Sequence, residues 1–145
     1  MLKNISPLLT PELLFALASM GHGDDIAVVD ANFPAARVAR EAGVSLIRLP
    51  GQGSGQVLQA VLSVLPLDTF DAACAWSMQV VGDASAVPPP VAEFRGLLEA
   101  QGHGLVSLKR FAFYAQAARA RALVQTGDLR KYANVLLRKG VLASD

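Results

Sequence analysis

Short apolar runs alternate along this chain with amphipathic stretches that open on a capping residue or a proline and close on glycine. A layered α/β domain accounts for that alternation, whereas an all-helical or all-strand fold does not. Thr10, Pro11 and Glu12 supply an N-cap, a proline for the first helical position and an acid near the positive helix end. A helix is therefore expected from there to about Met20, with Gly21 as its stop. The run "IAVV" after the Gly/Asp cluster reads as a short strand buried on both faces. Pro34 opens the helix "PAARVAREAG", closed by Gly43, and "VSLIRL" follows as a strand. In "SGQVLQAVLSVL" the apolar residues Val57, Leu58, Val61, Leu62 and Leu65 share one helical face. "DAACAWSMQVV" reads as a strand, "PPPVAEFRGLLEAQG" as a proline-opened helix stopped by Gly102, and "LVSLKR" as a strand. "FAFYAQAARA" is then a helix, "RALVQTG" a strand and "YANVLLRKG" a final strand with Asn134 near its start. The expected fold is α/β: a single layered domain over residues 1–145 with a central, mainly parallel or mixed β-sheet flanked by helices.

A length of 145 residues suits one domain with a real core. With 13 Lys+Arg against 12 Asp+Glu there is no charge excess to attract nucleic acid or an anionic membrane, so a small neutral ligand is the expected partner. No apolar stretch approaches the roughly 18 residues of a membrane span, and the start "MLKNISPLLTPE" lacks a cleavable apolar segment. The one cysteine, Cys74, lies in "AACAWSM" and cannot form an intrachain disulfide; it reads as a small core residue in a reducing compartment, the cytoplasm. Apolar residues make up 52% and charged ones only 17%, which burial between subunits would explain.

The chemistry-bearing stretch is "MGHGDDIAVVDANFP", with His22 before the first strand and Asp30 after it. A histidine between two glycines is uncrowded and titrates near neutral pH, which suits acid/base catalysis; the same residues also make a plain helix stop with a solvated imidazole. Asp30 stands where ligands sit in α/β sheets, at a strand's carboxyl end, or caps the turn before Pro34. Asp24 and Asp25 read as turn residues. Because a strand advances roughly 3.3 Å per residue, His22 and Asp30 are well apart unless the "GHGDD" loop folds back or His22 meets a neighbouring subunit. "GQGSGQ" lacks both the third glycine of GxGxxG and a Lys-Ser/Thr pair, so it reads as a turn rather than a phosphate cradle. No metal-ligand spacing links His22, His103 and the aspartates. Phe111, Phe113 and Trp76 read as core, while Arg110, at a strand end, has a donor fork suited to hydroxyl recognition.

The strings "MLKNISPLLTPELL", "MGHGDDI" and "DANFPA", followed by "RFAFY" and then "KYANVLLRKGV", together resemble the bacterial fucose mutarotase branch of the ribose pyranase and fucose mutarotase family. The resemblance spans nearly the whole chain. It implies a cytoplasmic, cofactor-free isomerase that interconverts sugar anomers, a ring-shaped homo-oligomer, typically a decamer, and sites in clefts between adjacent subunits. Carried over, the catalytic histidine falls on His22 and the substrate-binding residues on Asp30, Arg110, Tyr132, Ala133 (through its backbone) and Asn134. L-fucose is the implied substrate, with D-ribose pyranose-furanose conversion and non-catalytic sugar binding as alternatives. "RLPGQGSGQ", "AQGHGL" and Ala115 depart from the family pattern, which leaves His103 as a loop residue.

Overall fold

The computed structural model describes residues 1–144. Eleven elements follow one another: α1 (Pro11–Ser19), β1 (Asp25–Val29), α2 (Ala35–Ala42), β2 (Ser45–Leu49), α3 (Ser54–Leu62), β3 (Ala75–Met78), α4 (Pro89–Glu99), β4 (Val106–Leu108), α5 (Arg110–Ala117), β5 (Ala122–Thr126) and β6 (Val135–Arg138). The strands form one mixed sheet in the order β2-β5-β1-β6-β3-β4. Only β6 is reversed: it runs antiparallel to β1 and to β3, while β2/β5, β5/β1 and β3/β4 pair in parallel. Five strands therefore end at one edge of the sheet, and β6 begins there.

Helices cover both faces. On one side α1, α3 and α4 bring Leu13, Val57, Leu58 and Phe94 against Ile26, Val28, Val135 and Leu137. On the other, α2 and α5 bring Val38, Ala39, Phe113 and Ala117 against Ala27, Val29, Leu123 and Leu136. The alternation of Ile26 and Val28 with Ala27 and Val29 is the two-residue strand period, with both faces buried as the unbroken apolar run required.

Several local readings hold. Thr10 caps α1 by accepting from the Leu13 N–H, Gly43 closes α2 in the left-handed region at φ 69°, and Cys74 is buried in the core. Others are corrected. Gly21 is not the left-handed stop: α1 ends on extended Met20, and Gly23 takes the positive φ of 86°. Asp25 is no turn residue but the buried first residue of β1, where Arg138 clamps both its oxygens at 2.8 and 3.0 Å and Gln116 donates at 3.0 Å. Arg110 opens α5 rather than ending a strand. Phe113 is core but Phe111 is exposed, since the helix turns successive residues of "RFAFY" to different sides. The strand in "DAACAWSMQVV" is only Ala75–Met78, and Tyr132 and Asn134 precede β6 instead of lying in it. Among the described residues, no helix is long and apolar enough to cross a membrane.

Candidate functional site

Two groups of polar side chains stand at opposite edges of the sheet. At the edge where β1 begins, Gly21, His22 and Gly23 form a turn that Asp24 closes by accepting from the Gly21 N–H at 2.7 Å. The turn is tied to the end of β6, because the Gly23 N–H donates to Lys139 O and the Lys139 N–H to Asp24 O, both at 2.9 Å. The segment leading into β3 is tied to the same place: Asp68 N–H donates to Arg138 O at 3.0 Å and Gly140 N–H to Pro66 O at 2.8 Å. A Cβ on Gly140 would fall inside the Leu67 carbonyl, so only glycine allows this approach.

These two anchored loops bring His22 Nε2 within 3.0 Å of Asp68 Oδ1. The Asp68 side chain is 1% exposed and the His22 side chain 45% exposed. Backbone N–H groups of Phe70 (3.1 Å) and Asp71 (3.3 Å) donate to the Asp68 carboxylate. The Phe70 amide, with the His22 imidazole assisting, holds Asp68 below its ordinary value against the cost of burial. An ionised carboxylate only accepts, so Nε2 carries the proton and Nδ1 is the nitrogen free to exchange one. Nothing near "PLDTF" marks Asp68 in the sequence except the turn-forming habit of aspartate, which is why the sequence reading missed it.

The opposite edge collects Asp30, Tyr114, Lys131, Tyr132 and Asn134 around a cleft of ≈ 170 Å³. Asp30 Oδ1 accepts from the N–H groups of Asn32 (2.9 Å) and Phe33 (2.8 Å), an Asx turn. Burial pushes the Asp30 carboxyl up, while those amides, the Ala133 backbone and the Asn134 side chain pull it back. Asn134 Oδ1 accepts the Asp30 N–H at 2.8 Å, which makes its amide nitrogen the remaining donor of that side chain. Buried Ala133 accepts from Ser54 Oγ at 2.7 Å and contributes backbone only. Tyr132 adopts φ 64°, a left-handed conformation costing roughly 1–2 kcal/mol for a residue with a Cβ. Its Oη accepts the Val81 N–H at 3.1 Å, leaving the hydroxyl proton to donate. Arg110 lines a neighbouring cleft of ≈ 250 Å³ with Gln79, Val81 and Phe111, its guanidinium 4.7 Å above the Phe111 ring. The sequence reading passed over Tyr114; the signal that points to it is its place four residues beyond Arg110 on α5, hence on the same helical face.

One chain thus brings Asp30, Tyr132, Ala133 and Asn134 together, with Arg110 beside them, and leaves His22 on the other edge. The five residues of β1 alone put roughly 15 Å between its ends. The "GHGDD" loop does not fold back, and the partner that orients His22 within the chain is Asp68. Two other motifs are internal. His103 lies in a loop with Nδ1 3.7 Å from Cys74 Sγ, and the N-terminus of α3 in "GQGSGQ" is filled by Asp128, whose Oδ2 accepts the Ser54 N–H at 3.0 Å.

Residues 3–142 match the model of the RbsD / FucU transport protein family. The chain belongs to this family. Among RbsD/FucU relatives, human fucose mutarotase is 44% identical over 147 aligned positions, covering 98% of this chain and 95% of the human protein. The bovine fucose mutarotase is 43% identical over 146, with the same coverage. A crystal structure of the fucose mutarotase from Streptococcus pneumoniae in complex with L-fucose superposes with a TM-score of 0.89 at 35% identity, covering 98% of this chain and all 100% of that one. Bacillus subtilis RbsD complexed with D-ribose, 22% identical with a TM-score of 0.77 over 99% of this chain and 100% of its own, shares the fold.

Proposed function

We propose that this protein is an L-fucose mutarotase, which opens and recloses the hemiacetal ring of the free sugar and so interconverts its α and β anomers. The observation that carries the reading is the exposed imidazole of His22, held through Nε2 by a buried carboxylate, which leaves Nδ1 as the nitrogen outside that bond. The relatives named fucose mutarotase, similar over nearly the whole chain, supply the substrate.

Ring opening moves two protons. The protonated Nδ1 of His22 donates to the ring oxygen as the ring C–O bond breaks, and the anomeric hydroxyl releases its proton to water as the aldehyde forms. Rotation about the bond between C1 and C2 presents the other carbonyl face. On reclosure the C5 hydroxyl attacks C1 and returns its proton to Nδ1, while water gives a proton to the carbonyl oxygen, which becomes the anomeric hydroxyl again. Asp68 holds the imidazolium formed in each cycle, and general acid/base assistance of about 10² to 10⁴-fold suffices for a reaction that already proceeds unaided. Asp30 accepts from a sugar hydroxyl, while Tyr132, Asn134 and Arg110 donate to others.

Two copies of the chain are needed to make one such site, because His22 and the hydroxyl-binding cleft occupy opposite edges of the sheet. A head-to-tail contact of this kind repeats into a closed ring, in keeping with the decamer that the family resemblance implies. Exposed Phe15, Phe111 and Leu129 supply apolar surface for such contacts. The free Cys74 thiol fits a cytoplasmic protein.

Magnetisation-exchange NMR on equilibrated L-fucose, with D-ribose in parallel, tests the reading. Faster exchange between α- and β-fucopyranose on adding the protein supports it. Broadening of the sugar signals without faster exchange would replace it with a binding protein.

A further inference from the structure

Phe70 presents a phenyl ring that is 70% exposed, and its centroid lies 5.1 Å from that of the His22 imidazole at an interplanar angle of 58°. The two rings are held by one carboxylate, since Asp68 Oδ1 accepts both from His22 Nε2 at 3.0 Å and from the Phe70 backbone N–H at 3.1 Å. A molecule that packs against the exposed imidazole therefore has the Phe70 ring as an immediate neighbour.

Ring chemistry says which part of the sugar that is. The acceptor of the His22 proton is the ring oxygen, and the nearest carbon on its non-anomeric side is C5. In L-fucose C5 bears a methyl group, two bonds from the ring oxygen; in pentopyranoses C5 bears only hydrogen. With His22 at the ring oxygen, the methyl group lies beside the imidazole, within van der Waals reach of a neighbouring aromatic ring, and such rings pack on apolar C–H groups. The facing cleft offers Asp30, Tyr132 and Asn134 to the hydroxyls and is lined by Phe33 and Met78 as well; the place of the methyl next to the ring oxygen, and so next to His22, is what assigns it to Phe70.

We propose that Phe70 is the specificity-determining residue of this site: its ring is the platform for the C5 methyl group, and it favours 6-deoxyhexoses over pentoses of the same ring configuration. This rests on the mutarotase reading and deepens it. The informative pair of sugars is L-fucose and D-arabinose, because D-arabinopyranose has the ring stereochemistry of L-fucopyranose without the methyl. One buried carbon in an apolar pocket discriminates by about 10- to 200-fold. Phe70 covers one side only, so the low end is expected.

The test compares wild type, Phe70→Ala and Phe70→Tyr for kcat/KM of anomer exchange on both sugars, with the oligomeric state of each protein measured by light scattering. The donor to Asp68 is the backbone of residue 70, so the alanine variant keeps the His22–Asp68 arrangement. Wild type should favour L-fucose by about tenfold, Phe70→Ala should bring the ratio near one with D-arabinose exchange little changed, and Phe70→Tyr should restore the preference. An unchanged ratio in Phe70→Ala would overturn the proposal. So would an equal loss on both sugars, or a loss explained by dissociation, either of which makes Phe70 an assembly residue. Wild-type protein that accelerates neither sugar would remove the mutarotase reading itself, and this inference with it; exchange on both with no preference would remove this inference alone.

Discussion

Replacing His22 by alanine isolates the acid/base step from everything else the site does. Among the described residues the imidazole has one hydrogen-bond partner, Asp68, and one ring neighbour, Phe70, and nearly half its side-chain surface is open. Its loss leaves Asp68 with the Phe70 and Asp71 amides as donors, so no buried carboxylate is stranded and the fold should survive. The hydroxyl-binding groups lie at the far end of β1 and are not disturbed. The expected result is therefore a fall in kcat of about 10² to 10⁴-fold, equivalent to about 2.7–5.4 kcal/mol of barrier, with KM changed little. NMR exchange rates at several fucose concentrations separate the two parameters, and circular dichroism confirms the fold. A variant with wild-type kcat would refute the assignment of His22 as the proton donor. A large rise in KM at constant kcat would make the imidazole a binding group.

The proposed division of the site between copies makes its own prediction: His22→Ala and Asp30→Asn proteins, each weak alone, should regain activity when unfolded and refolded together. Random assembly restores about a quarter of the sites, half times half; no recovery would place the whole site within one chain. The pH profile should fall on the acid side at a higher pH than an ordinary aspartate would give, because burial raises Asp30 and the proton it then carries turns an accepting oxygen into a donor. Stability should follow the opposite signs of the two aspartates. Raised Asp30 binds its proton more tightly folded than unfolded, so its contribution worsens as pH rises through that window. Lowered Asp68 contributes stability above the ordinary value and loses it as pH falls through its depressed one. An acid limb in KM that does not shift in Asp30→Asn would exclude Asp30 as its source. Gly140→Ala should drive the Leu67 backbone away, costing about 1–3 kcal/mol and lowering Tm by roughly 2–12 °C; an unchanged Tm by calorimetry would contradict the close approach.

Much of the fold was legible because its signals are local. The cap of α1, the glycine stop after α2 and the apolar run of β1 depend on neighbours within a few residues, and backbone hydrogen bonding enforces them wherever the segment lies. Asp30 was legible for the same reason, being at a strand's carboxyl end and bonded into its own turn. Misreadings arose where a distant partner decided. Asp25 is buried because Arg138, on the antiparallel neighbour β6, reaches across to clamp it, and nothing around Asp25 announces that partner. Phe111 and Phe113 have the same local composition, and only the packing of α5 on the sheet buries one and exposes the other.

The sequence by itself determined which segments become helices and strands, that the layers are α and β, and which residue types are available for sugar chemistry. Tertiary structure alone decided where those residues meet. The reversal of β6 between β1 and β3 brings Tyr132 and Asn134 to the edge where β1 ends beside Asp30, and sends Lys139 and Gly140 to the edge where β1 begins. There they gather the loops of His22 and Asp68. Strand order and direction are set by the summed burial of both sheet faces against five helices, a property of the assembled core that no window of the chain contains.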